Sequence, residues 1–165
     1  MNENSPCHVH RKELIISLSV YKNMRKDAAA QFIQDAKQLR IITMRVVKKF
    51  PKSYRYISTN NILTLAANIY TNCVKANSIF ISKAISEQDF ELRHRYLKIA
   101  YTDTSALLSE ITFLFALIDE GNNFFKNKDE YIKMFSSWTE IGTMTLNRIN
   151  AVINSDKERW NKYHS

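Results

Sequence analysis

An all-α fold, a four-helix bundle in up-down-up-down order, is what this sequence predicts, and three observations predict it. Only two Gly and two Pro occur in 165 residues, too few breakers for the many tight turns of an all-β chain. Apolar residues return at spacings of three and four along four separate stretches, which keeps one stripe on one face of a helix. The joints between those stretches are short and carry helix stop and start signals. A hydrophobic share of 45% with 12% aromatics excludes a disordered chain. The length suits one domain that buries roughly 70% of its unfolded surface. Residues 1–21 are expected as an N-terminal arm, 22–157 as the bundle and 158–165 as a polar, fraying C-terminal tail.

In the first 21 residues Ile16, Leu18 and Val20 alternate with Ser17 and Ser19, which suits either a short strand or the start of a helix. Helix 1 is expected over about Arg25–Phe50, with Ala29, Phe32, Ala36, Leu39, Thr43, Val46 and Phe50 as its inner stripe. Pro51 ends it, because the residue before a proline disfavours the helical region. Ser58 or Thr59 then supplies an N-cap for helix 2, about Asn60–Lys83, with Ile62, Leu65, Ile69, Cys73, Ala76 and Phe80 inward.

Ser86-Glu87-Gln88-Asp89 is a capping box with Asp in place of the usual Glu. It opens helix 3, about Glu87–Asp119, whose stripe is Leu97, Ala100, Thr104, Leu107, Ile111, Leu114 and Ile118. The half from Leu107 to Ile118 is apolar nearly all round, which predicts contact on more than one side and so a partner subunit. Leu107, Leu108, Phe113 and Phe115 there, with Phe50, are the candidate oligomer contacts. Gly121 suits a left-handed helix cap, and helix 4 follows over about Lys128–Lys157 with Phe135, Trp138, Gly142, Leu146, Ile149 and Ile153 inward. Gly142 inside a helix costs about 1 kcal/mol against Ala; it marks a close helix crossing or nothing at all.

No catalytic constellation is present: no Gly-rich phosphate loop, no HExxH, no GxSxG and no pair of Cys/His clusters. Cys7, His8 and His10 are metal ligands by type, without a second cluster to complete a site. Glu91 and His94 stand at the spacing of a bundle di-iron motif, but no second copy exists. His94 therefore reads as a solvated surface histidine between Arg93 and Arg95, and no metal or cofactor is expected. Two cysteines without a CxxC suit a reducing cytoplasm. The longest apolar run, Ile111–Ile118, is far short of the ~20 residues of a membrane span, and no leader peptide is expected.

Charge is the informative feature. The formal net charge is +8, and the whole of it falls between Lys22 and Arg55. Ten Lys/Arg stand there against Asp27 and Asp35, while the flanking parts are balanced. A local field of this kind attracts polyanions. Lys37, Arg40, Arg45, Lys48, Lys49, Lys52 and Arg55 are the candidate phosphate contacts, with Tyr54 and Tyr56 placed to stack on bases. Phosphate contacts carry no sequence information, so low specificity is expected. The alternative is a solvated helix face, or a scaffold whose basic side meets an acidic protein partner. A third and poorer alternative is an enzyme using a metal that the sequence does not advertise.

Lys48-Lys49-Phe50-Pro51-Lys52-Ser53-Tyr54-Arg55-Tyr56 resembles the "kFPk-e-ry" hinge of a superfamily of small four-helix bundles. That superfamily includes proteins encoded in 23S ribosomal-RNA intervening sequences and the accessory variability determinant (Avd) of diversity-generating retroelements. Lys75-Ala76-Asn77-Ser78 is similar to its "EAN" element, with Lys75 where Glu is common, and Arg95-Tyr96-Leu97-Lys98-Ile99-Ala100 to its "r-yl-A" pattern. The likeness covers about Tyr21 to Asn154. It implies a bundle assembled as a ring-like homopentamer that binds RNA or DNA and a reverse transcriptase in support of mutagenic retrohoming. The expectation is thus a non-enzymatic, cytoplasmic accessory protein.

Overall fold

A computed structural model of the chain describes residues 31–50, 59–119 and 128–165. Residues 32–165 form one compact unit. The described residues hold four helices and no strand: α1 Gln31–Lys48, α2 Thr59–Asn77, α3 Glu87–Asp119 and α4 Lys128–His164. Side-chain pairs along their lengths set the directions. Thr43 meets Trp138 and Lys49 meets Glu130 between α1 and α4. Asn61 meets Glu110 between α2 and α3, and Arg93 meets Asp156 between α3 and α4. Arg40 lies over Tyr70, joining α1 to α2. Sequence neighbours are therefore antiparallel and α4 closes onto α1, the up-down-up-down bundle that the stripes predict.

The core is built from those stripes. Phe32, Ala36, Leu39, Val46, Ile62, Ile69, Cys73, Ala76, Leu97, Ala100, Leu107, Ile111, Leu114, Phe135, Trp138 and Ile149 are all buried. Thr43 and Trp138 bring polar atoms into it with their hydrogen bonds satisfied, as burial requires. Thr43 Oγ1 donates to the Leu39 carbonyl at 2.7 Å and accepts from Trp138 Nε1 at 2.9 Å. Burial pushes the Cys73 thiol up to about 12, with Asp35 adding to the shift, so Cys73 is an inert packing residue. Gly142 does mark a close crossing. A Cβ there would stand 2.7 Å from Leu108 Cδ2, so the glycine makes room for α3 against α4.

Three expectations are corrected. α2 ends at Asn77 instead of continuing to Lys83. Ser78 Oγ takes the Lys75 carbonyl at 2.7 Å, and the Arg93 guanidinium takes the carbonyls of Ala76 at 2.6 Å and Ile79 at 2.9 Å. The helix is thus capped by a side chain from α3. Phe80 consequently points outward at 82% exposure, and Ile81 fills the core in its place.

Arg93 itself is buried. Its Nε donates to Asp156 Oδ2 at 2.6 Å, with the two side chains only 10% and 4% exposed. Second, α4 does not fray after Lys157 but runs to His164. Trp160 stacks on Phe90 at 4.4 Å, and His164 stacks on Trp160 at 3.7 Å. Third, His94 is half-buried against Phe90 with its Nδ1 enclosed and lacking a hydrogen-bond partner. Desolvation, then Lys98 and Lys157, lower its pKa from 6.5. Ser86 does cap α3 as expected, accepting from the Asp89 amide at 3.1 Å and donating to Asp89 Oδ2 at 2.8 Å.

Removing one partner of the buried pair strands a charge. Asp156→Ala is expected to cost about 3–5 kcal/mol of unfolding free energy, read by urea denaturation. An unchanged midpoint would show that the pair does not tie α3 to α4. For His94, the native state binds its proton less readily than the unfolded chain, so stability falls as pH drops through 6.5 toward the lowered native value. His94→Phe should flatten that part of the stability–pH curve. A slope identical to the wild type's would refute the assignment.

Candidate nucleic-acid interface

The candidate site starts from the outer arc of α1. The apolar stripe commits one side of this helix to the core, so its cations stand on the other. Lys37, Arg45, Lys48 and Lys49 are exposed, and Arg40 is half-buried. Within one helix of 18 residues the only acid is Asp35, and Asp35 is buried and ion-paired with Arg148 of α4. The solvent side of α1 is therefore uniformly positive, which the charge count alone cannot show.

The structure qualifies the roles of two candidates. Lys49 Nζ donates to Glu130 Oε1 at 2.6 Å, and both side chains are about half exposed. That hydrogen bond and charge hold the Glu130 carboxyl below the usual range, so part of the Lys49 charge is neutralised by its own chain. Arg40 places its guanidinium carbon 5.7 Å from the Tyr70 ring centroid, a cation–π arrangement. Lys52, Tyr54, Arg55 and Tyr56 lie outside the described residues.

Among the candidate oligomer contacts the structure separates core from surface. Phe50 is 2% exposed and stacks on Phe135, with ring centroids 6.5 Å apart. Leu107 is fully buried. Both are spent inside the bundle and have no surface to offer a partner, because each falls on its helix's inner stripe. Leu108 is half-buried, its side chain aimed at Gly142. Phe113 and Phe115 remain, at 55% and 40% exposure. Phe115 borders a shallow groove between α3 and α4 lined also by Ile111, Phe135 and Thr139.

A pair missed by sequence reasoning is Lys75, whose Nζ sits 5.5 Å from the Tyr96 ring centroid. The signal for it is compositional: α2, from Thr59 to Asn77, contains no Asp or Glu. Among the described residues no group of three or more His, Cys, Asp or Glu could hold a metal ion. Nor is any helix there long and apolar enough to cross a membrane. Comparison with protein-family models, curated proteins and solved structures returned no match.

Proposed function

We propose that this protein is a non-enzymatic accessory factor whose basic α1 face holds the phosphate backbone of RNA or DNA with little sequence preference. One observation carries the reading: the outer arc of α1 presents Lys37, Arg40, Arg45 and Lys48, with Lys49 just past its end, while its single acid is buried. Closely spaced exposed cations neutralise phosphates and release counterions, so affinity depends steeply on salt. The resemblance of the hinge and helix motifs to the retroelement accessory superfamily supports a reverse transcriptase as protein partner, and mutagenic retrohoming as the process served. The exposed Phe113, Phe115 and Ile132 support a homo-oligomer, in keeping with the ring that the resemblance implies.

Binding of the full chain to a structured RNA and to duplex DNA across a salt series tests the reading. Affinity is expected to fall log-linearly with salt. Lys37→Glu with Arg45→Glu should weaken binding to both ligands equally and leave helicity unchanged. Equal affinity in that variant would reject the α1 face. No binding even at low salt would favour an acidic protein partner instead. Light scattering at micromolar concentration is expected to return a mass above 19.3 kDa. A monomeric mass would refute assembly through the exposed phenylalanines.

A further inference from the structure

We infer that the polyanion site extends across α2, and that it grips a double-helical backbone rather than stacking on unpaired bases. The inference rests on the polyanion reading of α1 above and adds to it Lys75, Tyr70 and Tyr96.

Charge comes first. α2 has no acidic residue over its 19 positions, so the solvent face shared by α1 and α2 shows cations only. Because α1 and α2 run antiparallel and Arg40 meets Tyr70, Lys75 lies toward the N-terminal end of α1. The cations thus form a path along α1 from Lys48 to Lys37 that crosses α2 at Lys75. At about 1.5 Å per residue each helix is close to 27 Å long, most of the ~34 Å that one duplex turn occupies. At the seam with α3, Glu110 accepts a hydrogen bond from Asn61 at 3.3 Å.

The rings decide the class of ligand. Tyr70 and Tyr96 are half-buried, each packed against the core. Arg40 lies over the Tyr70 ring and Lys75 over the Tyr96 ring, at 5.7 Å and 5.5 Å from the centroids. A ring engaged in this way cannot also serve as a platform for a nucleobase. Instead it holds a cation in place before the ligand arrives, reducing the ordering cost of binding. Cations preplaced in this way recognise phosphates, which a double helix presents continuously on its outside.

The test uses the full chain with a blunt RNA duplex and an oligouridine of equal phosphate count, each across a salt series. The duplex is expected to bind at least as tightly as the oligouridine. Lys75→Gln should weaken duplex binding and reduce the magnitude of the log–log salt slope by about one. Tyr96→Phe, which keeps the ring, should match the wild type. Tighter binding of the oligouridine would show base stacking and overturn the inference. If the wild type binds while Lys75→Gln changes neither affinity nor slope, the site is confined to α1 and only this extension fails. If the wild type binds neither probe, the polyanion reading fails with it.

Discussion

The buried Arg93–Asp156 pair holds together the end of the bundle where α2 stops, α3 begins and α4 finishes. One guanidinium donates to three partners there: Asp156 of α4, the Ala76 carbonyl in the last turn of α2, and the Ile79 carbonyl just beyond it. A helix C-terminus leaves unsatisfied carbonyls, and an interior arginine needs partners for its charge. Each requirement answers the other, so α2 ends where Arg93 reaches it. The outward turn at Ser78, the exposure of Phe80 and the entry of Ile81 into the core all follow. Buried ion pairs are weak contributors to net stability against a hydrophobic alternative but specify geometry when both partners must be met.

A second charged contact does comparable work near the other seam. Asp35 is the one acid of α1, and its burial against Arg148 removes it from the surface. The same contact that fastens α1 to α4 also strips the negative charge from the basic face. Packing and electrostatics are therefore not separable on this helix. The cations of α1 are outside because the stripe Phe32, Ala36, Leu39, Thr43 and Val46 is inside. Their field is undiluted because the single acid is consumed by the bundle.

Much of this was legible in the residues. Spacings of three and four located all four helices, since an amphipathic helix must turn one face to the core whatever its neighbours are. Ser86 and Asp89 announced the start of α3 because a cap is a local interaction, made within four residues. The concentration of basic residues before Arg55 was equally plain. Phe50 and Leu107 were less so. Apolar residues look alike in sequence whether they face their own core or a partner, and here both face the core.

By itself the sequence determined the all-α class, the four amphipathic stripes and the placement of the net charge, because each depends on residue type and local spacing. Tertiary structure alone decided where α2 stops, that Arg93 is buried, that α4 continues through Trp160 and His164, and which cations sit over which rings. Arg93 lies 63 positions from Asp156, and Lys49 lies 81 from Glu130. Nothing in the neighbourhood of either residue encodes its partner. Such pairings exist only once helices distant in the chain are packed side by side.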